Sequence, residues 1–128
     1  MKPKPLIYLA SPYSHPSADV QDYRFRVVCR VAARLMREGH LIFSPIAHSH
    51  SIATLGLLPH DFRFWGEFDK AMLKRCDALW ILMLNGWLES RGILEEYEYF
   101  KNQTLKRQRD AEIVNIDPLP EELEAKYQ

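Results

Sequence analysis

Cysteine is scarce in this 128-residue chain: Cys29 and Cys76 lie far apart, at no metal or redox spacing. Both sit among apolar residues at helical intervals and are read as buried free thiols. Excess charge of either sign is also missing. Lys plus Arg and Asp plus Glu total 17 each, so nothing advertises a nucleic-acid surface. Glycine is limited to five residues, and no Gly-rich loop follows the first apolar run, which disfavours that kind of phosphate binder. Long hydrophobic runs are absent as well. The longest, "ALWILML" at 78–84, falls far short of the roughly 20 residues that span a bilayer. The opening "MKPKPLIYLASPYS" lacks the extended apolar region of a secretory signal. These absences point to a cytoplasmic protein without membrane contact. Residues 1–128 are expected to form a single domain, long enough to bury a core.

What is present is an alternation. "LIYLAS" (6–11) reads as a strand stopped by Pro12, and 18–39 as a helix carrying Val20, Phe25, Val28, Ala32, Leu35 and Met36 on one face, with Gly39 as its stop. "LIFSPI" (41–46) reads as a second strand and "AHSHSIATLGLLPHD" as a polar loop. A helix over 63–76, a buried strand over 78–84, a helix over 91–109 and a strand over 111–117 follow, then a tail with a short helix. Apolar strands alternating with helices imply an α/β, three-layer flavodoxin- or Rossmann-like domain with a parallel sheet of about five strands. Such sheets bind ligands at the carboxyl ends of their strands. Here those ends are Ser11–His15, Ser44–His50 and Asn85–Ser90.

Three of the acids in "NGWLESRGILEEYEYF" (85–100), Glu95, Glu96 and Glu98, crowd into four positions of one helix. Ser90 is its natural N-cap. On the helical wheel Arg91, Glu95, Glu98 and Asn102 form a solvent stripe, and Ile93, Tyr97, Phe100 and Thr104 an inward one. Glu96 lies between, leaning back over Gly92, which has no side chain to fill the space. Glycine in a first turn costs about 1 kcal/mol relative to alanine, so it asks for a reason. A carboxylate beside that gap, kept ionised by the helix N-terminus, suits a nucleophile. Glu95 and Glu98 are read as complementing the helix dipole; the wheel leaves Glu96 open between that role and chemistry.

"SRGILEE" (90–96) resembles the (Ser or Asp)-x-Gly-x-x-x-Glu signature of the nucleoside 2-deoxyribosyltransferase superfamily, whose opening strand "IYLASPYS" is similar to. "DKAMLKRCDALWIL" resembles its Asp-x7-Asp segment, and the local phrasing is closest to a small bacterial and phage branch. The resemblance implies cleavage or transfer of an N-glycosidic bond of a nucleoside or nucleoside 5′-monophosphate, without a metal or other cofactor. It assigns Glu96 as nucleophile and Asp69 to proton delivery or base orientation, leaving Asp77 to brace the central strand. It places Ser90 at the position where serine accompanies 5′-phosphates, with Gly92 beside it. Tyr8 and Tyr13 are expected to stack on a base or to pack the first strand end. Ser11 stands where the superfamily has glycine, narrowing the sugar's space, and Glu98 where it often has another glycine. Arg24 or Arg26 would add charge for a phosphate, although solvated helix positions explain them equally well. His48 is expected to line the pocket; with His50 it makes an i, i+2 pair, but no third metal ligand accompanies them. Homo-oligomer formation is expected from the superfamily and from Trp65, Trp87, Tyr97, Tyr99 and Phe100, many aromatics for a small protein. The competing expectation is a non-catalytic nucleotide-binding module on the same fold.

Overall fold

A computed structural model describes residues 3–107 and 110–124. Four strands, β1 (Leu6–Ala10), β2 (Leu41–Phe43), β3 (Ala78–Leu82) and β4 (Glu112–Ile116), form one parallel sheet in the order β2-β1-β3-β4. Among the described residues the α-helices are α1 (Ala18–Arg37), α2 (Pro45–Gly56), α3 (Phe62–Lys74), α4 (Arg91–Lys106) and the short α5 (Pro120–Leu123). The sheet has four strands rather than about five. After β4 the chain enters α5 and packs against α1 instead of adding an edge. Residues 108 and 109, where the helix over 91–109 is expected to end, lie outside the described residues.

Strand alternation divides the core in two. Leu9 and Leu82 face Val27, Val28, Val31 and Leu35 of α1. Tyr8, Ala10, Leu79 and Ile81 face the other way, onto Leu73 of α3 and Ile93 and Phe100 of α4. Helices on both faces of a parallel sheet make the three layers. The path β1 to β2 runs one way along the sheet and β2 to β3 to β4 runs back. Crossovers of one hand must therefore put α1 opposite α3 and α4, as found.

The segment expected to be a polar loop is α2. Ser44, expected inside a strand, is its N-cap: its Oγ accepts from the Ala47 amide at 3.1 Å, and Pro45 fits the first turn. The buried face of this helix is Pro45, Ser49 and Ala53, all small, so no large apolar residue marked its period. The αL residue Leu57 (φ 59°) ends it.

Two polar braces add to this packing. Asp77 accepts from the Leu6 amide at 2.8 Å, and its own amide donates to the Leu6 carbonyl, tying β1 to the start of β3. Glu122 of α5, buried, receives Arg34 of α1 through both Nε and Nη2, at 2.7 and 3.2 Å. Glu122→Ala leaves that guanidinium without its main partner and should cost about 2 kcal/mol in denaturant unfolding. A loss under about 0.5 kcal/mol would show that α5 adds nothing to the core.

Candidate functional site

Strand order reverses between β1 and β3, and a cavity of about 1340 Å³ opens beside their carboxyl ends. Ser11 and Tyr13 enter it from the end of β1, Asn85 and Gly86 from the end of β3, Ser90, Gly92 and Glu96 from the start of α4, and Asp69 from α3. Clefts of about 300–1,000 Å³ hold small ligands, so this one is ample for a nucleotide-sized molecule.

Glu96 is only 4% exposed although it borders the cavity. It shares the buried face of α4 with Ile93, Phe100 and Thr104, more inward than the wheel placed it, while Tyr97 is half-buried. The Tyr8 hydroxyl donates to Glu96 Oε2. Burial pushes the Glu96 carboxyl up to about 8; the Tyr8 hydrogen bond opposes that rise and the charge of Asp69 adds to it. This corrects the expectation of an anion held by the helix dipole. Glu96 is the sixth residue of α4, beyond the first turn where the dipole acts, and desolvation outweighs the dipole. Asp69 is 4% exposed, its carboxyl is raised to about 7 by burial, and its Oδ1 has no hydrogen-bond partner among the described residues. Two carboxyls that titrate near neutrality beside one cavity mark a site where protons can move.

The other predicted residues divide. Ser11, Tyr13, Ser90 and Gly92 line the cavity. Ser11 Oγ is buried and, like Asp69 Oδ1, has no hydrogen-bond partner among the described residues. Ser90 caps α4, accepting from the Ile93 amide at 3.2 Å. A Cβ on Gly92 would meet Phe62 at 3.6 Å and Ser90 Oγ at 3.8 Å, ordinary contacts. Packing does not demand this glycine, and what a side chain there would take up is cavity space. Tyr8 is not brought to the cavity. It is fully buried on β1, a strand residue pointing into the α3–α4 layer, so it cannot stack on a ligand and instead holds Glu96 from behind.

His48 is also placed elsewhere, exposed and stacked on Phe68 with ring centroids 5.0 Å apart. Because α2 is a helix, positions i and i+2 face different ways. His50 accordingly packs on Phe25 instead, and the two cannot share a metal. Among the described residues no three His, Cys, Asp or Glu side chains are grouped to hold a metal ion. Glu98 is solvent-exposed, and Glu95 is exposed at the cavity rim. Both cysteines are free; Cys76 is buried and Cys29 half-buried. The aromatics expected at an interface are mostly spent inside: Phe100 is in the core, with Trp87, Tyr97 and Tyr99 packed against it.

Residue-by-residue reading missed His60, Ser49 and Lys70, which also line the cavity. His60 and Ser49 lie in the stretch taken for a loop, where no period announced their direction. Of the two arginines considered, Arg24 is the one at the site. It bridges the loops after β1 and β3, donating to the Ser14 carbonyl at 3.0 Å and the Asn85 carbonyl at 3.4 Å. Gly86 makes this possible: its φ is +98°, and a Cβ there would fall 2.5 Å from Arg24 Nη2. Arg26 pairs instead with Asp22 at 2.7 Å.

A four-stranded parallel sheet covered on both faces, with a carboxyl-bearing cavity at its switch point, defines a Rossmann-like α/β protein. The chain belongs to the family described as domain of unknown function DUF1937, which matches residues 5–108. That span runs from β1 through α4 and so includes the cavity residues named above. No curated protein matches the chain.

Proposed function

We propose that this protein cleaves or transfers the N-glycosidic bond of a nucleoside or nucleoside 5′-monophosphate, with Glu96 as nucleophile. The observation that carries the reading is a buried carboxyl bordering a large cavity at the sheet's switch point, held by Tyr8 and coupled to Asp69. A Glu96 oxygen attacks the anomeric carbon as the bond to the base breaks. The electron pair leaves with the base, which takes its proton from Asp69 in the acid form. The ester is then resolved by water, whose proton returns to Asp69, or by a second base, and Glu96 is regenerated as a carboxylate. Desolvation favours protonated Glu96, so its proton passes to the Asp69 carboxylate before attack, which also gives Asp69 the acid form. The Tyr8 hydrogen bond favours its anion, so the attacking form is held in place by a donor that is already there.

Ser90, at the N-terminus of α4 with Arg24 and Asn85 on the same cavity, favours a 5′-phosphate over a free hydroxyl. Ser90→Asp should keep the cap, since aspartate caps as well as serine, while placing an anion where the phosphate would lie. The ratio of base release from 5′-monophosphates to that from nucleosides should then fall tenfold or more (~1.4 kcal/mol). An unchanged ratio would remove Ser90 from phosphate selection.

A nucleotide-binding module without turnover is the second reading. One observation favours it: burial raises the Glu96 carboxyl to about 8, so little of it is carboxylate at neutral pH. Release of free base from any nucleotide of a test panel decides for catalysis. A cytoplasmic location is further proposed; separately, no described helix is long and apolar enough to cross a membrane. It is also proposed to self-associate, with the exposed Phe64 and Phe68 of α3 as the surface aromatics available for a contact.

A further inference from the structure

One chain of polar groups reaches the cavity wall and takes no part in the mechanism above. The Tyr13 hydroxyl and His50 Nδ1 are 2.6 Å apart, and His50 Nε2 lies 3.5 Å from Asp22 Oδ1. Asp22 Oδ2 in turn accepts from Arg26 Nε at 2.7 Å. The Asp22 carboxyl is held below its ordinary range, chiefly by that Arg26 hydrogen bond, and is an anion that can only accept. The nitrogen facing it, Nε2, must therefore carry the hydrogen. Burial keeps His50 neutral, leaving Nδ1 as a lone pair. Burial also raises the Tyr13 phenol to about 12, so its hydroxyl always has a proton to donate. The groups around the imidazole are Tyr13, Asp22, Phe25, Arg26 and His60, and among them only Tyr13 and Asp22 meet its ring nitrogens.

We propose that Asp22 and His50 fix the polarity of Tyr13, whose hydroxyl proton is committed to His50 and whose oxygen is presented to the cavity as a hydrogen-bond acceptor. The cavity then selects a ligand that offers a hydroxyl or N–H donor at Tyr13 and disfavours one that places a carbonyl or ring-nitrogen acceptor there. Asp22 is a positioning residue at a distance: it sits on α1, does not line the cavity, and reaches the ligand only through two hydrogen bonds. The ligand part of this inference rests on the nucleotide reading; the relay itself does not.

The relay can be inverted without touching the cavity. In Asp22→Asn, Arg26 Nε holds the amide oxygen on its own side, which turns the amide NH2 toward His50 Nε2. The imidazole must then move its hydrogen to Nδ1 and donate to Tyr13, whose hydroxyl turns to the cavity as a donor. With 15N-labelled histidine in the full-length chain at pH 8, the parent should show the Nε2–H form of His50 and Asp22→Asn the Nδ1–H form. Tyr13→Phe should shift the Nδ1 resonance. A parental tautomer in Asp22→Asn, or an Nδ1 resonance indifferent to Tyr13→Phe, would overturn the relay.

Calorimetric titration with the four deoxynucleoside 5′-monophosphates supplies the second arm. For the tightest of them, Asp22→Asn and Tyr13→Phe should each weaken binding about tenfold. The double variant should be no weaker than Tyr13→Phe, a coupling that mere loosening of α1 would not give. Tight binding indifferent to Asp22→Asn overturns the acceptor role and leaves the nucleotide reading standing. Binding of none of the four overturns the nucleotide reading and the ligand part with it, while the tautomer result still decides the relay.

Discussion

Glu96→Gln is expected to abolish base release while leaving the protein folded. Glutamine keeps the shape of the side chain, and its carbonyl can still accept from the Tyr8 hydroxyl, so the buried contact survives. What is lost is the lone pair that forms the ester, and with it the low-barrier route. The fall in turnover on an active nucleotide should be a thousandfold or more, against the tenfold that about 1.4 kcal/mol represents. Glu98→Gln, on the exposed side of the same helix and away from the cavity, is the control and should retain activity. A 2-fluoro-substituted deoxynucleotide, which slows breakdown of the ester, should leave a sugar adduct on Glu96 detectable by peptide mass spectrometry. Near-parental turnover by Glu96→Gln would exclude the covalent route.

The same substitution should stabilise the protein, but only at alkaline pH. Glu96 is raised from about 4.5 to about 8 and Asp69 from about 3.8 to about 7, so the folded state holds protons that the unfolded chain releases. Stability tied to these groups is complete below pH 4 and drains away as pH rises to about 8. Glutamine cannot ionise and escapes the loss. The melting temperature of Glu96→Gln should therefore match the parent near pH 4.5 and exceed it at pH 8.5. The gain there should be roughly 7 °C, corresponding to about 2 kcal/mol. Asp69→Asn should show the same trend, smaller because Asp69 is shifted less. If both variants track the parent across that range, the carboxyls are not desolvated as described. A gain in stability on removing a group, joined to loss of activity, is the pattern expected of strain kept for chemistry.

Much of this was legible in the sequence because four apolar runs and three strongly periodic helices each carry their own signal. Position 96 emerged from glycine spacing and a family-like signature, and Asp69 from the same source. The failures share a cause. Tyr8 and Glu96 meet across 88 positions of sequence, a contact that no local pattern encodes. The sequence therefore leaves Tyr8 open between stacking on a base and packing the strand end, and the fold decides for packing. Similarly, α2 buries only small residues, so nothing local separates the exposed His48 from the cavity-lining Ser49 beside it. The expectation of an ionised Glu96 fails because the helix dipole can be read from a wheel, whereas the depth of burial that overrides it depends on the packed whole.

Placing Tyr8 on β1 also fixes when the site can fail. β1 pairs on both sides, with β2 and β3, and its inward residues are wholly buried, so its amides should exchange with solvent only when the whole domain opens. The donor that orients Glu96 therefore belongs to the slowest-exchanging part of the molecule. Local breathing of the loops can admit or release a ligand, but it cannot misalign that hydrogen bond. Heat or denaturant should thus leave the nucleophile in register until the cooperative transition itself.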